Sequence, residues 1–305
     1  MYYKSIVVMI LTILLIAFIT NCEKEEILDN PWEVVIDTQV KQPVRMAAFL
    51  NENFGLTGGF SGAGKANRTL DGGKTWTISD SSGGCIFGIE IVDNNTIWVS
   101  GKMHGMSFTT PGGLRLSKDG GVTFEPQANI RTLPRECPMS FIDQNNGWFY
   151  QNEKLQSTAD GGNNWVELTL PPDAATIKAV QLRTKNEGFL LDISGNLFTT
   201  TDGGKTWSKT QLPLQKYHLL GIMEFESAAV GIRFFDKDKG VIAASFSGGE
   251  QEDRVQVFRT KDGGQNWQSE LVSYGSGVIF LSPDARFITI QNMGKIRVLR
   301  YTGKE

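Results

Sequence analysis

An eight-residue unit occurs five times in this chain. It reads TLDGGKTW at Thr69–Trp76, SKDGGVTF at Ser117–Phe124, TADGGNNW at Thr158–Trp165, TTDGGKTW at Thr200–Trp207 and TKDGGQNW at Thr260–Trp267. A unit repeated this often constrains the fold more than any composition does, because each copy must be the same piece of one recurring module. The aspartates Asp71, Asp119, Asp160, Asp202 and Asp262 are separated by 48, 41, 42 and 60 residues.

A period near 40 residues suits a blade of four short antiparallel strands in a β-propeller. The third repeat shows the pattern. Phe141-Ile142 ends a first strand, Asp143 to Gly147 makes a turn, and Trp148-Phe149-Tyr150 is a second strand. Leu155 to Thr158 is the third and Trp165 to Leu170 the fourth. Short runs of β-branched and aromatic residues bounded by Gly, Asn and Asp are what such strands require. Ten per cent aromatics and 34 glycines fit the same class.

The two ends of the chain explain each other. After the fifth unit come strand patterns at Val278 to Leu281, Phe287 to Ile290 and Ile296 to Arg300, and then Tyr301 to Glu305 without Asp-Gly-Gly. The missing fourth strand is available in PWEVVID, Pro31 to Asp37, which matches NWVELTL and TWSKTQL in pattern. The expected fold is therefore all-β: a six-bladed propeller closed by residues 32–37 pairing with 296–300. The 60-residue interval keeps a seven-bladed ring open as the alternative.

Within each unit the paired glycines, Gly72-Gly73, Gly120-Gly121, Gly161-Gly162, Gly203-Gly204 and Gly263-Gly264, allow the positive φ of a tight turn. The aspartate accepts hydrogen bonds from turn amides, and the leading Ser or Thr adds another. Trp76, Phe124, Trp165, Trp207 and Trp267 return the chain to the sheet. A catalytic reading fails on geometry, since five equivalent acids on separate blades cannot converge on one substrate. A calcium loop would need alternating acids that are missing. The units are read as structural.

The pattern [ST]-x-D-G-G-x-x-[WF] resembles the Asp-box, or BNR repeat, of sialidases, sortilin-type receptors and related propellers. With the Gly-aromatic pair before it, as in Asn146-Gly147-Trp148 and Glu187-Gly188-Phe189, the longer unit is most similar to the photosystem II assembly-factor branch. The resemblance covers residues 32–305. It implies structural boxes at the blade periphery and a non-enzymatic role in assembling membrane complexes. The sialidase branch implies an Arg-Ile-Pro motif, an arginine triad and a Tyr-Glu pair. Here Val44-Arg45-Met46 stands near the first of these in order, and Arg131-Thr132-Leu133-Pro134 is spaced differently. Xyloglucan-cleaving relatives resemble the chain less, having more boxes on a much longer chain. A sialidase-like glycoside hydrolase and a glycan-binding propeller without catalysis remain the alternatives.

The first residues carry an address. Lys4 precedes an apolar run from Ile6 to Ile19, which is short for a transmembrane helix and suits an export signal. Ile19-Thr20-Asn21-Cys22 resembles a bacterial lipobox, with Asn21 in place of the usual small residue. The acidic stretch Glu23 to Glu26 resembles the tag that some Gram-negative bacteria use to send lipoproteins to the outer face of the outer membrane. The expected organisation is a signal peptide over 1–21, an acylated Cys22 with a polar tether over 22–31, and the propeller over 32–305. The expected location is the cell envelope, lipid-anchored, at the outer membrane and surface-exposed. Cys85 and Cys137 in the exported body either form a disulfide or remain two small buried thiols.

A formal charge of -3 with no like-charge run beyond a few residues argues against nucleic acid as the main partner, which would favour a basic face. No zinc spacing, phosphate loop or nucleophile elbow occurs, so neither metal nor cofactor is expected. In such a blade the boxes share one face with the turns between strands one and two, and the insertions lie on the other. Gly101 to Gly113 and Ser247 to Arg254 are the two conspicuous insertions, and His104, Arg131, Arg135, Tyr217, His218 and Tyr274 fall in the same set of loops. Loops on a rigid scaffold are where binding concentrates. They are the candidate binding residues for a protein or glycan partner.

Overall fold

The computed structural model describes residues 31–40, 44–59, 66–79, 86–101, 113–127, 138–212, 230–246, 254–274, 277–292 and 294–303. The chain divides into two units, Met1–Pro31 and Trp32–Glu305, and the second holds the sheets. Its strands form six antiparallel sheets of four among the described residues.

The first blade is β2 (Val44–Phe49), β3 (Gly55–Gly59), β4 (Asn67–Thr69) and β5 (Thr77–Ile78). The second is β6 (Gly88–Ile91), β7 (Ile97–Ser100), β8 (Leu114–Ser117) and β9 (Glu125–Pro126). The third is β10 (Met139–Phe141), β11 (Gly147–Gln151), β12 (Lys154–Thr158) and β13 (Val166–Leu168). The fourth is β14 (Ile177–Leu182), β15 (Gly188–Asp192), β16 (Asn196–Thr200) and β17 (Ser208–Gln211). The fifth is β18 (Val230–Phe234), β19 (Gly240–Phe246), β20 (Arg254–Thr260) and β21 (Gln268–Tyr274). The sixth takes β22 (Val278–Leu281), β23 (Phe287–Asn292) and β24 (Lys295–Tyr301) from the end of the chain and β1 (Trp32–Gln39) from its start.

The first strands β2, β6, β10, β14, β18 and β22 touch in succession, and β22 touches β2, so the ring is closed. This is a six-bladed propeller. A seventh blade is not formed: the described part of the 60-residue interval supplies strands of the fourth and fifth blades only. Residues 213–229 and 247–253 of that interval lie outside the described residues. The expected closure is present and extends further than the sequence pattern required, from Trp32 paired with Tyr301 to Gln39 paired with Lys295. A bulge between Val34 and Ile36 interrupts it.

Alternation along each strand sends successive side chains to opposite faces, and both faces of a blade meet another blade. The apolar core is accordingly divided among the seams rather than gathered at one centre. Trp148 packs with Leu190 and Phe198 of the fourth blade, whereas its neighbour Phe149 packs with Trp98 and Leu116 of the second. Ile36, Phe49 and Val298 fill the seam between the sixth and first blades. Phe189, Phe234 and Phe258 fill that between the fourth and fifth.

Candidate functional site

The boxes define one face. In the first, Gly73 N–H donates to Thr69 Oγ1 at 2.8 Å, and the Thr69 hydroxyl donates to Asp71 Oδ1 at 2.9 Å. Asp71 in turn accepts from Thr75 N at 2.9 Å and from the Thr75 hydroxyl at 2.6 Å. Gly72 and Gly73 have φ of 72° and 82°, the region that excludes most side chains. The aspartates Asp119, Asp160, Asp202 and Asp262 hold the same bonds, with Asn164 and Asn266 replacing threonine in the third and fifth boxes. Every box also docks on the turn between the first two strands of its own blade. Gly72, Gly120, Gly161, Gly203 and Gly263 donate to the carbonyls of Asn53, Asn95, Asn145, Asn186 and Asp238. In the sixth blade, which has no box, Tyr301 N–H donates to Arg286 O in the corresponding turn.

These bonds favour the ionised carboxylates. Hydrogen bonds from the Thr75 hydroxyl and amide hold Asp71 down to about 2. Burial pushes Asp119 up, but the Thr123, Ser117 and Val122 bonds outweigh it and leave the group at about 2. Asp160, Asp202 and Asp262 are lowered by the same kind of contacts, led by Asn164, the Thr206 hydroxyl and Asn266. Trp76, Trp165 and Trp267 each donate Nε1–H to the carbonyl of their own second glycine. Trp207 differs: its N–H reaches Thr169 O of the third blade, and its ring meets Trp148 with centroids 6.0 Å apart.

The axis carries a second constellation, which sequence reasoning missed. The last-but-one residues of the six innermost strands are Ala48, Glu90, Ser140, Gln181, Arg233 and Phe280, and all are buried. Glu90 and Arg233 belong to the second and fifth blades, which stand opposite in a ring of six. Arg233 Nη2 donates to both Glu90 oxygens, at 3.0 and 2.9 Å, and each side chain is 10% exposed. Burial pushes the Glu90 carboxyl up, against the opposing pull of the Arg233 guanidinium and the Phe141 amide. Gln181 pairs with the backbone of Phe234 through both ends of its amide, at 2.6 and 3.0 Å. A carboxylate held on both oxygens by one guanidinium works as a tie between blades rather than as a free acid or base.

Among the described residues, the opposite face carries the turns between strands two and three of the third and fourth blades and the connection between those blades. Asn152 and Glu153 turn with φ of 50° and 61°. Asp192, fully buried, accepts from the amides of Ala175, Ser194 and Asn196 and so fixes the fourth blade's turn. Gly101 N–H donates to Gly113 O at 2.7 Å, closing the base of the first insertion. The second insertion is shorter than the sequence suggested, because Arg254 already pairs with Phe246 and Tyr274. Of the candidate binding residues, His104, Arg131, Arg135, Tyr217 and His218 lie outside the described residues. Tyr274 ends β21, and only its backbone is described. Cys22, Cys85 and Cys137 also lie outside them. Among the described residues, no group of His, Cys, Asp and Glu side chains is arranged to hold a metal ion. No helix among them is long and apolar enough to cross a membrane.

Boxes turned into one face, seams filled with aromatics and an axis tied by side chains define an Asp-box propeller. The chain belongs to the family described as photosynthesis system II assembly factor YCF48, whose model matches residues 126–296. A curated relative, "Photosystem II assembly lipoprotein Ycf48" of Synechococcus sp. (strain CC9902), is 23% identical over 175 residues, 54% of this chain and 46% of that protein. The chain thus spans about half the length of the relative it matches. YCF48 from Cyanidioschyzon merolae superposes with a TM-score of 0.53 at 13% identity, covering 88% of this chain and 98% of that one. A GH74 xyloglucanase from Xanthomonas campestris gives 0.52 at 13% identity, covering 89% and 53%. At those identities the two structures share the fold.

Proposed function

We propose that this protein is a lipid-anchored, non-enzymatic propeller of the bacterial envelope, at the outer membrane and surface-exposed, that binds a protein partner during assembly of a membrane complex. Membership of the YCF48 family carries this reading, and the Synechococcus relative is itself named an assembly lipoprotein. The geometry supports it from another side. The box carboxylates are all engaged in their turns, and the axis is crossed by Glu90 and Arg233. That leaves the outer faces for recognition. The partner is assigned to the insertion face, where Arg131, Arg135, Tyr217 and His218 fall in the sequence.

Cys22 carries the anchor in this reading, so Cys22→Ser abolishes incorporation of labelled palmitate and releases the protein from membranes. Persistent label refutes acylation at that residue. A photo-crosslinking side chain placed at Arg131 or Tyr217 of the intact lipoprotein captures one envelope protein in stoichiometric yield. Recovery of nothing above background from either position overturns the assembly role.

A further inference from the structure

The strand that follows the tether begins on the box face. Trp32 pairs with Tyr301, and Tyr301 N–H bonds to Arg286 O in the turn that takes the place of a box contact. Arg300 joins Glu33 of β1 to Glu52 in the box-face turn of the first blade. Only nine residues, 23–31, separate Cys22 from Trp32. Fully extended at about 3.3–3.6 Å each, they reach about 30 Å.

The boxes of the first and second blades, which follow that strand around the ring, differ from the others. Two positions of each box, the second and the sixth, contribute no side chain to the turn's carboxylate bonds with threonine or asparagine. They are Leu70 and Lys74 in the first blade and Lys118 and Val122 in the second. In the remaining blades they are Ala159 and Asn163, Thr201 and Lys205, and Lys261 and Gln265. A large aliphatic beside an exposed lysine therefore occurs only in the two boxes that follow the closing blade around the ring. Leu70 is 59% exposed and Val122 48%, and neither takes part in the clusters between blades. The turn does not need them. The neighbouring acids Asp71 and Asp119 are folded back onto Thr75 and Thr123, whereas Lys74 and Lys118 are exposed at the same tips.

We infer that the box-face rim formed by the sixth, first and second blades is a membrane-contact edge, which rests on the headgroups of the bilayer holding the anchor. Leu70 and Val122 enter the interface, and Lys74 and Lys118 meet lipid phosphates. Aliphatic tips flanked by lysines are the chemistry of interfacial contact, and a short tether supplies the proximity. The insertion face is then turned away from the membrane. This inference rests on the lipid-anchor reading.

The test uses the full-length acylated protein in vesicles of phosphatidylethanolamine and phosphatidylglycerol that contain a headgroup spin-labelled lipid. A fluorescent side chain replaces either Ala159 on the box face or Ile193 on the opposite face, both exposed positions. Quenching is expected to be severalfold stronger at 159 than at 193. Leu70→Ser combined with Val122→Ser leaves the turn bonds in place and brings the ratio toward one while the protein still floats with the vesicles. Equal or reversed quenching in a floating protein overturns the membrane edge and leaves the anchor standing. A ratio unchanged by the double substitution overturns the role of those side chains. A ratio that departs from one only after envelope proteins are added makes the rim a protein-binding edge and refutes the lipid assignment. Failure to float, with no palmitate on Cys22, sinks the anchor and this inference together.

Discussion

Each box aspartate is a charged residue whose bonds are all local, made within four residues of itself. That is why an octapeptide was enough to recognise it. The same bonds make the turns sensitive to acid. An unfolded aspartate titrates near 3.9, whereas Asp71 and Asp119 are held at about 2 in the folded turn and Asp160, Asp202 and Asp262 are also lowered. A depressed folded value means that the contribution is fully present above the unfolded value and is lost as pH falls through the folded one. Urea midpoints should therefore be level down to about pH 4, fall between about pH 4 and 2, and fall less steeply in Asp202→Asn, which removes one of the titrating groups. A midpoint independent of pH across that window would show that the turns do not favour ionised aspartate. The Gly-aromatic pairs before the boxes were equally legible, but their cause was not. Gly188 is a glycine because the ring of Trp148, from the preceding blade, lies 2.2 Å from where its Cβ would stand.

Strands and turns followed from local pattern, with edges trimmed by a residue or two, as in the outer strand expected over Trp165 to Leu170 and found at Val166–Leu168. The axial tie did not follow. Glu90 and Arg233 are 143 residues apart, each in an innermost strand whose neighbours are apolar, and nothing local marks either as the other's partner. Arg259 is a similar case. Its guanidinium lies 3.7 Å from the Tyr301 ring centroid and 5.3 Å from that of Trp32, while Trp32 donates to Glu270. It sits between residues from the two ends of the chain. Breaking the axial pair tests how blades are coupled. Arg233→Met leaves a buried carboxylate without its counterion and should cost about 3–5 kcal/mol, whereas Arg233→Met with Glu90→Leu should recover most of that loss. A double-mutant cycle from urea unfolding measures the difference; strictly additive losses would mean that the two side chains are not coupled.

At the scale of the molecule, the ring is closed by hydrogen bonds between chain ends and by no covalent turn. Removing Pro31–Asp37 exposes β24 and opens the seam lined by Ile36, Phe49 and Val298. The loss should be comparable with the whole stability of a domain, on the order of 5–15 kcal/mol. Calorimetry should show one cooperative transition moved to much lower temperature, and an unchanged melting temperature would make β1 dispensable. The loops that carry the candidate binding residues are the least legible part at any scale. Their residues repeat no pattern from blade to blade, so composition and position nominate them but supply no geometry.

Closure by the two termini has a consequence for biogenesis. Of the ring's strands β1 is made before the others and its partner β24 after them, so a nascent chain cannot complete the ring until residue 301 has been made. A chain that stops short of residue 295 keeps β1 and the last sheet edge unpaired, and open edges invite aggregation or degradation. The fold thereby contains its own test of length: only a chain that reaches β24 can cover the edge of β1.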